Sequence, residues 1–276
     1  MGKTMRSRVG KRRRGLNKTI PWLKFGLLIV ILLFLILGLR GDFRQFSGET
    51  IARVPTTPMS KQVEVPDKIF RGSLAGKKLV ALTFDDGPSA ETTPRLLDIL
   101  KEEKVIVTFF ELGGRAQANP EITKRAFREG HEIGSHTMWH QNLVRVSRGE
   151  AEEDIASAKA VFREILGREV QLTRAPYGNT NAFISGKVGT PLVYWSVDTR
   201  DWESRDPDSI VQIALDNTVD GSIVLMHDIY DTTVDSVPKI IDGLRERGFE
   251  FVTVSELAKN RGEKLENGVT YLNFEP

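Results

Sequence analysis

From residue 78 onward the chain repeats one pattern, a short apolar or β-branched run followed by a segment with apolar residues three and four apart. The runs are Leu79–Phe84, Val105–Phe110, Glu132–Ser135, Val170–Thr173, Leu192–Ser196, Ile223–Met226 and Glu250–Val254. Each has the length and composition of a strand. Helical segments separate most of them. Thr93-Pro94 opens one that carries Leu96, Leu97, Ile99 and Leu100 on its inner face. Ser147 and Glu150 have capping-box spacing, ahead of Ile155, Val161 and Ile165. Asp206-Pro207 opens another, and the last long helix carries Val237, Ile240, Ile241 and Leu244 and ends near Gly248. This alternation predicts an α/β fold with a parallel sheet. Seven strand candidates in roughly 180 residues favour a small, incomplete barrel over a full eightfold one.

Ahead of this domain the pattern changes. Phe25–Leu39 carries no charge, and the apolar stretch counted back to Ile20 has 20 residues. About 20 residues of helix cross a bilayer core. Nine Lys or Arg precede residue 25 and no acid appears before Asp42. A basic flank before the first apolar segment keeps the N-terminus inside and exports the remainder of the chain. No small-residue cleavage site follows Leu39, so an uncleaved anchor is expected rather than a removed signal peptide. The expected division is a basic cytoplasmic tail at 1–19, a transmembrane anchor at 20–39 and an extracellular linker at 40–75 with one short strand near Val63–Val65. A catalytic domain at 76–260 and a tail at 261–276 complete it, the tail showing strand character at Val269–Phe274.

Charge sharpens this division. The whole chain sums to +2, from 39 Lys+Arg and 37 Asp+Glu. Setting aside the nine N-terminal bases leaves 30 against 37, so the remainder carries −7. The basic cluster is therefore a membrane-orientation signal, and no nucleic-acid partner is expected. The absence of cysteine excludes a disulfide scaffold, a thiol nucleophile and thiolate metal sites. Any metal here must be held by His, Asp or Glu.

The candidate chemistry falls at strand ends. Asp85-Asp86 follows the first run, His136 and His140 the third, and Arg174 ends the fourth. Asp198 and Asp201 follow the fifth, and His227 ends the sixth. In parallel α/β folds the C-terminal strand ends face one shared site. His136-Thr-Met-Trp-His140 places two imidazoles four apart, as on one face of a helical turn, and a carboxylate would complete a three-ligand site with open positions. Thr137 stands where a metalloprotease signature has Glu, so a base must come from elsewhere. Asp85-Asp86 before Gly87-Pro88 reads either as a cation-stabilised pair or as a turn. Asp198, Asp201 and Trp202 read as site or as loop decoration. His227 alone reads as a satisfied buried histidine, and its case rests on the company it keeps. His131 reads as structural.

Taken in order, Thr83–Pro88, His136–His140, Arg174–Gly178, Asp198–Trp202 and Leu225–His227 resemble the five motifs of the polysaccharide deacetylases, the NodB-homology group or carbohydrate esterase family 4. The resemblance runs from Lys78 to Leu257. Through His227–Asp235 it is nearest to membrane-anchored peptidoglycan N-acetylglucosamine deacetylases of Gram-positive bacteria. It implies a distorted, incomplete (β/α) barrel of NodB type. It also implies a metal triad of Asp86, His136 and His140, usually filled by zinc, with Asp85 as catalytic base and His227 as catalytic acid. Arg174 would orient the base and Asp201 tune the acid. Trp202 and Leu225 would wall the acetyl pocket, and the Tyr177 backbone N–H would share the oxyanion with the metal. The implied activity is removal of N-acetyl groups from N-acetylglucosamine of cell-wall peptidoglycan, releasing acetate, at the outer face of the cell membrane. Two alternatives remain: deacetylation of another polysaccharide (chitin-type oligosaccharide, exopolysaccharide, xylan ester or N-acetylmuramic acid) and a non-catalytic wall-binding protein.

Overall fold

Residues 74–276 are described by a computed structural model. The expected anchor and the strand near Val63–Val65 lie outside the described residues, among which no helix is long and apolar enough to cross a membrane. In chain order the first elements are β1 (Lys78–Asp85), α1 (Thr93–Glu102), β2 (Thr108–Glu111), α2 (Gly113–Ala118), α3 (Pro120–Arg128), β3 (Glu132–Ser135) and α4 (Arg148–Leu166). A 3-10 turn at Pro176–Gly178 leads to α5 (Ala182–Val188), β4 (Leu192–Val193), β5 (Val197–Asp198), α6 (Asp201–Ser204) and α7 (Pro207–Asn217). The last elements are β6 (Ser222–His227), α8 (Asp231–Glu246), β7 (Phe249–Phe251), α9 (Val254–Asn260) and β8 (Thr270–Tyr271).

β1 is the central strand. It pairs with β6 along one edge, and with β2 and β7 in succession along the other. Its side chains alternate between two apolar regions, as the period-2 geometry of a strand requires. Val80, Leu82 and Phe84 face a layer built with Leu96, Leu97 and Leu100 of α1 and Val237, Ile240 and Leu244 of α8. Leu79 and Ala81 point the other way, into an inner cluster with Phe110, Leu172, Val193 and Ile223. Each fully buried Leu, Ile or Phe contributes roughly 1.5–3 kcal/mol, so both faces of β1 are anchored. The expected capping box forms at α4, where Ser147 and Glu150 exchange side-chain bonds with each other's N–H.

Every strand ladder is parallel, in the order β3-β2-β1-β6-β5. From β3 the arc continues through single bridges, Ser135 to Thr173 and Thr173 to Leu192, and on to the β4–β8 pair. The expected strand at Val170–Thr173 is thus reduced to one bridging residue, and the expected run Leu192–Ser196 survives only as β4. The cause is a side chain. Arg174 donates from Nε to the Val193 carbonyl at 3.0 Å and from Nη2 to the Tyr194 carbonyl at 2.7 Å. Acceptors that a ladder would use are taken by a guanidinium, and among the described residues no ladder joins β4 to β5.

The segment after Asn260 is built into this domain. β8 pairs with β4, and the Phe274 N–H donates to the Gly221 carbonyl at 2.9 Å. The Phe274 ring is buried in the inner cluster, near the N-terminal ends of β1 and β6. Gly221, with φ +91, leaves no room for a Cβ beside Phe274. The tail covers one end of the sheet, and the catalytic candidates stand at the other.

Candidate active site

The C-terminal ends of β1, β3, β5 and β6 surround a cavity of about 470 Å³. Asp85, Asp86, His136, His140, Tyr177, Trp202, Leu225 and His227 line it. Arg174 and Asp201 are fully buried and bond to the lining residues Asp85 and His227. All ten expected site residues are therefore brought together.

Asp86, His136 and His140 offer three donor atoms within 4.8 Å of one another. Asp86 Oδ1 lies 3.5 Å from His136 Nε2 and 3.4 Å from His140 Nε2. That oxygen is buried and has no hydrogen-bond partner among the described residues. His136 Nδ1 stands 2.7 Å from the Arg174 carbonyl, which only accepts, so the ring proton sits on Nδ1 and the Nε2 lone pair faces the cavity. Burial draws the His136 pKa down to about 3, so the ring is neutral. Two ring nitrogens converging on an unpartnered carboxylate oxygen form a donor set suited to a cation. Ligands about 2.1 Å from a tetrahedral centre stand roughly 3.4 Å apart, so these donors fit a divalent metal of zinc type.

The expected helical turn at His136–His140 does not form. Thr137 (φ 71) and His140 (φ 58) take left-handed conformations, and the segment is an irregular turn. Its amides and carbonyls are held from outside. Asp154 of α4 accepts from the Met138 N–H at 2.6 Å and the Trp139 N–H at 3.3 Å, while the N–H groups of Gly113 and Gly114 donate to the Thr137 and Met138 carbonyls. The two rings still converge, with centroids 5.0 Å apart. Asp86 and Tyr177 also have positive φ, so four of the seven such non-glycine residues among the described residues belong to this site. Backbone strain of this kind costs roughly 1–3 kcal/mol each and persists where surrounding structure enforces it.

Asp85 is buried beside the donor set, with Oδ2 3.8 Å from His136 Nε2. Arg174 Nη1 donates to Asp85 Oδ1 at 2.7 Å and to the Thr83 hydroxyl at 2.8 Å. The guanidinium lies over Phe110, 4.1 Å from the ring centroid. Burial pushes the Asp85 carboxyl above its usual range despite the Arg174 charge, and the same burial weighs on the guanidinium. The pair forms an oriented carboxylate with raised basicity.

His227 closes the other part of the cavity. Its Nδ1 donates to Asp201 Oδ1 at 2.8 Å and its backbone N–H to Oδ2 at 2.7 Å, and the Thr233 hydroxyl also donates to Oδ2. Burial alone would lower its pKa, but the hydrogen bond and charge of Asp201 lift it to about 9. His227 is therefore an imidazolium at neutral pH, with Nε2–H as its remaining donor. The Tyr177 N–H has no acceptor among the described residues. Leu225 is buried and Trp202 half exposed at the wall. His131, expected to be structural, accepts from the Val107 N–H and lies edge-on to Phe109, outside this cavity.

Several contributors were not anticipated. Trp195 and Tyr230 line the cavity. Asp154 was missed although an acid beside Ile155 and Ala158, on the inward face of an amphipathic helix, is an anomaly that the sequence displays. Asp228 and Glu111 are buried acids that each leave one oxygen unpartnered among the described residues. Asp228 accepts from the Thr93 hydroxyl, its carbonyl accepts from the Thr92 hydroxyl, and Gly87 lies so close that a Cβ there would fall on its carboxyl.

With this geometry in hand, the family model for polysaccharide deacetylase matches residues 73–188. A solved T48 deacetylase with substrate is 39% identical, with a TM-score of 0.69 over 73% of this chain and 100% of that one. The chain belongs to the polysaccharide deacetylase family. Peptidoglycan-N-acetylglucosamine deacetylase PgdA of Listeria monocytogenes is 43% identical over 197 residues, 71% of this chain and 41% of that protein. Peptidoglycan-N-acetylmuramic acid deacetylase PdaC of Bacillus subtilis is 38% identical over 188 residues, 68% of this chain and 40% of that protein. The chain thus spans about two fifths of the length of these two relatives. The parallel α/β architecture is that of this family's NodB-type fold.

Proposed function

We propose that this protein is a metal-dependent hydrolase that removes N-acetyl groups from N-acetylglucosamine residues of peptidoglycan, releasing acetate. One observation carries the reading. A cavity holds three metal donors, an Arg-bound buried carboxylate and an Asp-bound imidazolium together.

Asp86, His136 and His140 would hold the cation, most simply zinc. When bound, it supplies a Lewis acid for the amide carbonyl and lowers the pKa of a bound water. Asp85 takes the proton of the attacking water, with Arg174 fixing the orientation of its carboxylate. The Tyr177 N–H donates to the oxygen that gains charge, a contribution of about 2.7–4 kcal/mol where such a donor is well aimed. His227 Nε2–H gives its proton to the departing nitrogen, and Asp201 stabilises the charged ring that does so. Leu225 and Trp202 bound the space for the acetyl methyl.

The names of the relatives support a wall glycan as substrate. They also support a second reading, deacetylation at the muramic residue, as the name of PdaC states. Mass spectrometry of muropeptides treated with the full-length protein and zinc decides between them. One acetyl lost from the glucosamine supports the proposal, and loss confined to the muramic residue supports the second reading. No loss from any glycan would leave only a non-catalytic wall-binding role. Residues 20–39 complete the proposal as a single-pass anchor holding the enzyme outside the cell, in a Gram-positive bacterium. Fractionation of cells making the untagged chain tests this, and a shortened product in the medium overturns it.

A further inference from the structure

A second groove, of about 480 Å³, adjoins the catalytic cavity and shares Asp86 and His140 with it. Leu112, Gly114, Arg115 and Trp139 supply the rest of its character. Trp139 is 62% exposed and lines this groove. The ring rests on Gly114, where any side chain would collide with it. Arg115 is exposed and makes no ion pair or side-chain hydrogen bond among the described residues. Exposed Arg145 shares that state, so the weight falls on the place of Arg115 in this groove.

The position of Arg115 is fixed relative to the metal donors. It sits in the first turn of α2, whose Gly113 and Gly114 N–H groups bond the carbonyls of Thr137 and Met138 at 2.8 and 3.1 Å. Those carbonyls belong to the same turn that presents His136 and His140. The groove lined by Trp139 and Arg115 adjoins the cavity at Asp86 and His140, so a substrate whose acetyl group lies at the donor set can extend its next residue into it. An aromatic face suits an apolar sugar face, and an unpaired guanidinium suits a carboxylate.

We propose that this groove is a subsite for the neighbouring sugar of the same strand, and that Arg115 selects strands on which that neighbour carries an acidic substituent. This deepens the peptidoglycan deacetylase reading of the site and rests on it. Peptidoglycan offers such a group in the acidic peptide borne by alternate sugars, whereas chitin-type chains are neutral at every residue. Arg115 is then a specificity-determining residue, absent from the chemistry itself.

The test compares the full-length wild type with Arg115→Ala, Arg115→Glu and Arg115→Lys. Each is assayed for kcat/KM on glycan strands with intact stem peptides and on chitin oligosaccharides of equal length. An exposed ion pair is worth up to about 1 kcal/mol, so the peptide-bearing to neutral ratio should fall roughly fivefold in Arg115→Ala. It should fall further in Arg115→Glu and stay near wild type in Arg115→Lys. Added salt should narrow the wild-type ratio and leave that of Arg115→Ala little changed. An unchanged ratio in Arg115→Ala and Arg115→Glu overturns the proposal and makes Arg115 a solvated surface cation. If acetate comes from the muramic residue instead, the parent reading fails by the site of deacetylation, whereas an unchanged ratio with acetate still leaving the glucosamine overturns the role of Arg115 alone.

Discussion

Asp201 holds His227 at two points, accepting the ring Nδ1–H on one oxygen and the backbone N–H of the same residue on the other. The imidazole can neither rotate nor move away from the strand end that carries it. The consequence is electrostatic. Below a pKa of about 9 the ring is charged and can donate, and as pH rises through that value the acid is lost. A bound divalent cation opposes the imidazolium charge, so the alkaline limb of activity is expected at or below pH 9. Asp201→Asn should move that limb to lower pH and cut kcat at neutral pH on the order of 10²-fold. A pH profile of kcat with the limb unmoved would assign the acid elsewhere.

Arg174 is fully buried, with Asp85 as its only carboxylate partner among the described residues. Arg174→Met leaves that carboxylate buried without its counter-charge and deprives the Val193 and Tyr194 carbonyls of donors. Breaking a buried pair from one side costs about 3–5 kcal/mol. Denaturant unfolding should register a loss of that size, together with loss of activity. A variant as stable as wild type would mean that water replaces the guanidinium.

Asp154 touches no substrate, but it fixes the turn that aims His136 and His140. Asp154→Ala should weaken metal binding about 10–100-fold, the usual cost of removing a group that orients ligands. Competition with a chromogenic chelator reads this directly. Chelation of the wild type should abolish acetate release and zinc should restore it, with the variant needing more zinc. Equal zinc affinity in the two proteins would show that the turn holds itself.

Asp228 and Glu111 make stability depend on pH. Burial raises their pKa values to about 7 and about 8. The folded chain therefore holds protons that the unfolded chain releases near pH 4, and their contribution is present at low pH and lost as pH rises toward 8. His131 works oppositely, since its folded pKa of about 3 makes stability rise between pH 3 and its ordinary value of 6.5. Above that value its contribution is constant. His227, raised from 6.5 to about 9, then adds to the fall. Unfolding free energy should thus decline from pH 6.5 to 9, and Asp228→Asn with Glu111→Gln should flatten its lower part. An equally steep fall in the double variant would place the protons elsewhere.

Much of this was legible in the chain. Apolar runs ending in Asp85, His136 or His227 marked both the strands and the end at which chemistry collects, because strand period and strand direction are local properties. The features that escaped depend on contacts between distant segments. The His136–His140 turn is shaped by Asp154 and by two glycine amides, and no spacing rule encodes that. α2 begins Gly-Gly and shows little apolar periodicity, so it did not read as a helix. Asp228 lies in a run with Asp231 and Asp235, where nothing in the sequence separates the buried acid from the exposed ones.

The gap in the barrel and the posture of the catalytic carboxylate have one origin. A chain that extended the ladder past Val193 would claim the carbonyls that now anchor Nε and Nη2 of Arg174. The guanidinium would then be free to swing, and Asp85 would lose its fixed neighbour. In this architecture an unfinished wall is the condition for an aimed base, and mutations that regularise the sheet there should yield a sturdier protein with a disarmed site.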